Sequence, residues 1–435
     1  MLYNNIERRD KMSLKKEEYM QRLIDKKLED YLSVFGAVSV EGPKWCGKTW
    51  TALNHVNSVI YLDNEDMRNK ANLSLDYILN DEKPELIDEW NLVPKTWDAV
   101  RRKCDELSTR GNYILTCSTK LADEEQKKKV FHSGAGRIGK VRMYPMSLYE
   151  SGDSNGKASL MDMFNDMQEN IRIPQISLDE IANLIIRGGW PSNIKIVEDK
   201  NRILPKSYIE AILEKDMNDD KKRDRTKMLM LLKSLARNES TTVSNQTLLN
   251  DIVDNEENDT IESRITLGDY LDVLTRLHII ENQNAYSANY RSSKRVGKSP
   301  KRHFVDPSLA CACLDLTKDK LMNDLKTFGF MFEALVERDL RIYMDYLDGA
   351  LYHFRDNVTG LEIDSILEFS DGEYAAVEIK LGFNSVGEAK TSLMKFYNNV
   401  NKKPKFMCVI VGYLDFVVKD PETGIYIVPI TALKP

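Results

Sequence analysis

The chain has 435 residues, too many for one ordinary domain, so two or three are expected. Hydrophobic residues make up 42% and charged residues 30%, and no apolar run approaches the roughly 20 residues that span a bilayer, which excludes a membrane-embedded class. A formal net charge of −6 excludes a general polyanion binder, so any nucleic-acid contact must use local basic patches. The first twenty residues lack an apolar core and a small-residue cleavage site, so no signal peptide is expected, and Met12 is a possible alternative start. The six cysteines form no CxxC pair, which points to reduced thiols in a cytoplasmic protein.

Residues 14–34 carry Tyr19, Leu23, Leu28 and Leu32 at helical spacing and lead into an apolar strand at 37–40. Gly42, Pro43, Lys44, Trp45, Cys46, Gly47, Lys48 and Thr49 then fit the eight-position phosphate-loop pattern, with Trp50 opening the next helix. The glycines let successive N–H groups turn towards phosphate oxygens, and the helix N-terminus faces the same anion. Lys48 would reach the β- and γ-phosphates of ATP, and Thr49 would ligate Mg²⁺. A second strand is expected at 59–63. The step Glu85-Leu-Ile-Asp88-Glu89 then ends a third strand in two carboxylates. Asp88 is placed to hold Mg²⁺ through water, and Glu89 to orient and deprotonate the attacking water.

Residues 111–118 read as the next strand, and Thr116, Ser118 and Thr119 at its end are three candidates for sensing the γ-phosphate. Arg137 precedes a fifth strand and is a candidate arginine finger. Strands alternating with helices predict a parallel sheet covered on both faces. Residues 151–175, with Gly152 and Gly156, read as a polar, acidic linker or loop. A helix at 176–187 follows, stopped by Gly188-Gly189-Trp190-Pro191, which is either a plain helix end or a lid on the nucleobase.

Between 205 and 305, four helical patterns precede two short apolar pieces, as a winged-helix module would. The loop from Arg291 to Arg302 is strongly basic and lies where a wing would touch DNA phosphates; a solvated loop or a protein contact are the alternatives. The last segment has a long helix carrying Glu333 and Glu337, a strand carrying Asp364, a turn at Asp371-Gly372, and a strand with Glu378 and Lys380. Positions 378 and 380 share a strand face, and Asp364 can reach it from the neighbouring strand. Asp364 and Glu378 can hold a hard metal that activates water, Lys380 can stabilise a phosphorane, and Glu333 can add a third carboxylate.

GPKWCGKT, LIDEWNLVPKTWDAVRR, NYILTCST and IIRGGWP, in that order, resemble the AAA-type ATPase domain of a large bacterial and archaeal family. SPKRHFVDPSLA and RDNVTGLEIDSILEFSDGEYAAVEIKLG resemble that family's C-terminal domain, which is similar to the restriction-endonuclease-like PD-(D/E)xK fold. The resemblance implies ATP or ADP at Gly42 to Thr49, Mg²⁺ at Thr49 and Asp88, water activation by Glu89, and a nuclease-like site at Glu333, Asp364, Glu378 and Lys380. It further implies that Pro191 packs near adenine. Relatives commonly carry Gly where Cys117 stands.

The expected architecture is α/β: an N-terminal tail (1–17), an AAA-type phosphate-loop domain (18–195), a helical, winged-helix-like middle (196–305) and a restriction-endonuclease-like α/β domain (306–435). The expected activity is ATP binding and hydrolysis controlling a nuclease-like domain that acts on DNA or RNA. One alternative is a signalling ATPase whose C-terminal domain is a non-catalytic protein-interaction module; another is a DNA-binding regulator. Self-association or another protein partner is compatible with either, and no membrane partner is expected.

Overall fold

A computed structural model describes residues 14, 18–119, 130–216, 224–252, 261–287, 300–356 and 358–435. The chain divides into two units: residues up to Met143 apart from the loop tip Pro43–Cys46, and Tyr144–Pro435 together with that tip.

The first unit is built on five strands: β1 (Ala37–Glu41), β2 (Ser58–Tyr61), β3 (Glu85–Asp88), β4 (Tyr113–Cys117) and β5 (Ile138–Arg142). They are all parallel and lie in the order β2-β3-β4-β1-β5. The sequence accounts for this. β3 and β4 are short apolar runs buried along their whole length, and β1, β2, β3 and β4 are joined in turn through helices, as a parallel sheet requires. The helix Lys95–Leu107 turns Trp97, Val100 and Cys104 inward, onto a core that includes Ala37, Ile87, Tyr113 and Leu115. Strand order places the C-terminal ends of β1, β3 and β4 together, and that edge is where open α/β sheets bind ligands.

The second unit carries a nine-stranded mixed sheet. In chain order its strands are β6 (Ile171–Arg172), β7 (Ile280–Ala285), β8 (Lys301–Phe304), β9 (Ala350–Arg355), β10 (Glu362–Glu368), β11 (Tyr374–Lys380), β12 (Phe406–Val411), β13 (Phe416–Lys419) and β14 (Tyr426–Pro429). Their spatial order is β6-β13-β14-β12-β11-β10-β9-β7-β8. The strands β11, β12 and β14 are buried almost throughout, and the helix Val386–Asn399 lays Ala389, Leu393 and Phe396 against Ile363, Tyr374 and Val409. Three helices, Arg225–Arg237, Asn245–Ile252 and Ile261–Arg276, precede the antiparallel hairpin β7–β8. That hairpin does not stand apart. β7 pairs in parallel with β9, so sheet hydrogen bonding runs continuously across residue 305.

Residues 151–175 are largely loop, but the segment is tied into the second unit by short strands. β6 extends the edge of the large sheet through β13, Ala158–Ser159 pairs with Leu433–Lys434, and the Ser154 hydroxyl donates to the Leu433 carbonyl at 2.7 Å. Two-residue strands are too short to show the alternation by which a strand is recognised in sequence.

The Gly188–Pro191 turn is also more than a helix stop. Trp190 is completely buried, its indole N–H donates to Ser308 Oγ at 2.9 Å, and its ring lies 5.0 Å from that of Tyr208. Gly189 donates its N–H to Asp306 Oδ2 at 2.9 Å and accepts the Met146 N–H at 2.6 Å. A Cβ at position 189 would run into the Met146 backbone. Gly189→Ala is therefore expected to cost on the order of 1–3 kcal/mol as overpacking against rigid main chain. Calorimetry of the full chain checks this: an unchanged unfolding profile would contradict it.

Candidate functional site

The phosphate loop leaves β1 at Glu41 and enters the helix Lys48–Leu53. Gly47, with φ of 101°, occupies a conformation open to glycine and strained for other residues, and the turn it makes presents the helix N-terminus. Lys48 is buried, and its Nζ donates to the Gly42 carbonyl at 3.1 Å, so the ammonium already lies across the mouth of the loop.

Across the sheet edge, Asp88 at the end of β3 accepts from Thr49 Oγ1 at 2.9 Å and from Thr116 Oγ1 at 2.5 Å. Burial pushes the Asp88 carboxyl above the usual range, and these two hydroxyls work against that shift. A hydroxyl and a carboxylate in contact at a helix N-terminus form a donor pair suited to Mg²⁺, which keeps most of its waters. Glu89 follows in a left-handed backbone conformation, φ 53°. Its carboxylate accepts from Ser118 Oγ at 2.6 Å and from the Ser118 N–H at 3.3 Å. Two of the three hydroxyl candidates thus take distinct places: Thr116 donates to Asp88, and Ser118 donates to Glu89. Cys117 between them is buried, and burial pushes its thiol up to about 12, so it serves as packing.

Arg137 is not brought to this edge. β5 runs parallel to β1 with Ile138 opposite Ala37 and Arg142 opposite Glu41, which puts Arg137 at the far end of the sheet from the loop. There its Nε donates to Asp105 Oδ1 at 2.8 Å. As a finger for its own nucleotide the assignment is corrected, because the direction of β5 forbids it. The β5 residue level with the start of the loop is Arg142, opposite Glu41.

In the second unit, the four residues expected together are together. Lys380 Nζ lies 2.7 Å from Glu378 Oε2 and 3.3 Å from Asp364 Oδ2, and the Ile379 N–H donates to Asp364 Oδ2 at 2.8 Å. The pairing of β10 with β11 sets this, since Ser365 opposite Val377 makes Asp364 and Glu378 the next cross-strand pair. Glu333 comes from the helix Leu325–Tyr346, where Glu337 lies one turn on and accepts from Gln283 Nε2 at 2.9 Å and from Ser365 Oγ. Asp364, Glu378 and Lys380 open onto a polar cleft of about 380 Å³, also lined by Ser392, Lys395 and Asn399.

A residue that the sequence reading did not place here completes the cluster. Lys301 of β8 puts its Nζ 2.8 Å from Glu333 Oε1 and 3.9 Å from Asp364 Oδ1. Burial opposes the charge on Asp364, yet Lys301, Lys380 and the Ile379 N–H together hold its carboxyl below the usual range. Burial and the neighbouring Asp364 push Glu378 up to about 8, against the pull of Lys380. Glu333 is pushed up to about 7 by burial, against the pull of Lys301. Asp364 and Glu378 both line the cleft, with the Lys380 ammonium between them. Among the described residues, no group of three or more His, Cys, Asp or Glu side chains is arranged as a metal cage.

The basic loop expected to touch DNA lies, from Arg291 to residue 299, outside the described residues. Its last two charges are spent internally. Lys301 faces the carboxylates, and Arg302 donates to the Val243 carbonyl at 2.9 Å and Asn245 Oδ1 at 2.7 Å. All six cysteines are free and buried. No described helix is long and apolar enough to cross a membrane.

Comparison with known families gives three adjoining matches: an AAA domain over residues 35–152, a Domain of unknown function (DUF8612) over 178–320, and a Domain of unknown function (DUF4143) over 328–433. No curated protein matches the chain. Among solved structures, the Walker-type ATPase PABY2304 of Pyrococcus abyssi aligns at 13% identity and a TM-score of 0.43, over 69% of this chain and 98% of its own. The ORC2 protein of Aeropyrum pernix, solved as ADPNP–ADP complexes, aligns at 12% and 0.35, over 73% and 99%. A signal transduction ATPase with numerous domains from Pyrococcus horikoshii, PH0952, aligns at 12% and 0.21, over 77% and 54%. With the AAA match and the loop geometry together, residues 35–152 are an AAA-type phosphate-loop domain, and the chain is an ATP-binding protein.

Proposed function

We propose that the chain is an ATPase whose nucleotide state governs phosphodiester cleavage in its C-terminal domain. In this reading Lys48 and the loop from Gly42 to Thr49, with Trp50 behind it, hold ATP. Thr49 and Asp88 would hold Mg²⁺, Glu89 activates water, and Pro191 packs near adenine, as the family resemblance implies. Arg137 would act only on the nucleotide of a second copy. Residues 18–195, 196–305 and 306–435 are the three functional parts. The middle, with its three helices and hairpin, is a winged-helix-like contact to DNA or RNA.

One observation carries the nuclease half: Asp364, Glu378 and Lys380 converge on the floor of an open polar cleft. A divalent cation between the two carboxylates would supply an activated water. Lys380 would stabilise the charge that develops on the phosphoryl oxygens, and Lys395 on the cleft wall offers a contact for the substrate backbone. Incubating the purified chain with DNA and RNA oligonucleotides, Mg²⁺ or Mn²⁺, with and without ATP, tests it. Cleavage is expected, falling by about 100-fold or more in Glu378→Gln, the scale of a lost electrostatic group at a reacting phosphate. It should also respond to ATP in the wild type but not in Lys48→Ala. Neither binding nor cleavage of any nucleic acid would remove this half of the proposal.

A signalling switch with a non-catalytic C-terminal module is favoured by a different observation, the two lysines that already neutralise the carboxylates. Asp364→Asn combined with Lys380→Ala separates the two. An unchanged phenotype, against its loss in Lys48→Ala, would select the switch.

A further inference from the structure

We infer that Lys301 is a tethered cation occupying the second cation position of the carboxylate cluster, so that the cleft takes one divalent ion where its carboxylates could otherwise take two. The inference rests on the cation-binding reading of the Asp364–Glu378 pair.

The geometry is that of two cation positions sharing one carboxylate. Asp364 stands in the middle. Its Oδ2 faces the space it shares with Glu378, where Lys380 reaches in from the cleft side. Its Oδ1 faces the space it shares with Glu333, and there the Lys301 ammonium lies 3.9 Å from Asp364 and 2.8 Å from Glu333. Shared carboxylates of this kind let phosphoryl-transfer sites seat two metals about 4 Å apart. Here the inner position is filled by a side chain. Lys380 also lies between the carboxylates of the outer position, but it lines the open cleft and has room to move aside, whereas Lys301 is buried and is not among the residues that line the cleft. The outer ammonium can therefore give way to a solvent ion, and the inner one cannot.

Three features fix Lys301 in place. Its strand alternation turns Lys301 and His303 inward together, while Arg302 turns the other way to Val243 and Asn245. His303 is buried and bonded on both ring nitrogens, Nδ1 to Glu239 at 3.0 Å and Nε2 to Gln283 Oε1 at 3.1 Å. Gln283, opposite Lys301 in the hairpin, donates to Glu337 at 2.9 Å and to the Asp364 carbonyl at 3.3 Å. The hairpin is thus fastened to the same helix and strand that supply the carboxylates. The Lys301 ammonium is paired with Glu333 and Asp364 at once, so it brings positive charge to that point without a metal.

Mn²⁺ binding to the nucleotide-free full chain, followed by calorimetry and by electron paramagnetic resonance, tests the assignment. The part of the signal lost in Asp364→Asn counts ions at this cluster. The wild type should bind one such ion, Lys301→Arg one, and Lys301→Met two. Glu333→Gln should keep the single ion with affinity little changed, because Glu333 holds the lysine and not the metal. A drop of about ten-fold or more in Glu333→Gln, the scale of a lost supporting group at a metal, would make Glu333 a ligand and overturn the inference. So would a Lys301→Met chain that folds and gains no ion, or the absence of an Asp364-dependent ion in every variant. If circular dichroism shows that Lys301→Met does not fold, Glu333→Gln decides alone. The readout is stoichiometry, not cleavage: a chain that binds as expected yet cuts nothing keeps the lysine assignment and loses the nuclease reading.

Discussion

Glu89→Gln is expected to reduce ATP turnover by about 10²–10⁴-fold, the usual contribution of a positioned general base, and to leave nucleotide binding intact. The separation follows from what each side chain touches. Lys48 spans the loop mouth through the Gly42 carbonyl, and Asp88 is committed to Thr49 and Thr116, so the binding apparatus does not include Glu89. The Glu89 carboxylate accepts from Ser118, while its backbone N–H donates to Thr116 Oγ1 at 3.3 Å in a left-handed conformation. Glutamine keeps the size and still accepts from Ser118, but it cannot take a proton from water. Steady-state turnover, with nucleotide affinity measured by calorimetry on the same samples, checks this. Lys48→Ala should instead lose affinity, because the ammonium facing the phosphates is gone. A Glu89→Gln chain that hydrolyses ATP at the wild-type rate would show that the base lies elsewhere.

Much of both sites was legible in the sequence, and the reason is local. A phosphate loop is eight consecutive residues, and Glu378 with Lys380 is a two-residue step on one strand, so spacing alone states their geometry. Asp364 was reachable because only a tight turn separates its strand from theirs. Lys301 was not, because its place comes from β7 pairing with β9, a parallel contact between segments far apart in sequence. The one available signal was alternation in Lys301-Arg302-His303-Phe304, which reads as a strand with one polar face inward; the surrounding run of basic residues masked it. The end of the sheet on which Arg137 lies was hidden for a similar reason. A strand seen in sequence has no direction relative to its neighbours, and the parallel pairing of β5 with β1 decides which end meets the nucleotide. The Gly188–Pro191 turn was recognised as a turn, but its partners Asp306, Ser308 and Met146 are invisible to local pattern.

Those same partners make Arg338 the residue whose loss should most damage the second unit. Its guanidinium is buried between two carboxylates, with Nη1 2.9 Å from Asp306 Oδ2 and Nε and Nη2 2.9 and 2.7 Å from Asp339 Oδ1. Removing one partner of a buried ion pair leaves an uncompensated charge and costs about 3–5 kcal/mol. The two carboxylates are not equally exposed to that loss. Asp306 keeps the N–H groups of Gly189 and Ser308 and the Ser308 hydroxyl, whereas Asp339 keeps only the Leu148 N–H. Arg338→Met should therefore strand Asp339. Burial already raises its carboxyl to about 6 with Arg338 opposing the shift, and without Arg338 it rises further. A carboxyl raised on folding contributes stability that is fully present below its unfolded value near 4 and is lost as pH rises through its folded value. The penalty of Arg338→Met is thus largest at pH 7.5 and shrinks towards pH 5, where Asp339 takes up a proton and needs no counter-charge. Calorimetric midpoints of wild type and variant across pH 5–7.5 would show the gap closing on acidification. A gap independent of pH would place the damage in lost packing around the arginine stem and not in the stranded carboxylate. Lys318, whose ammonium pairs at the surface with Asp179 and Glu198, is the control, and Lys318→Ala should leave the midpoint unmoved at either pH.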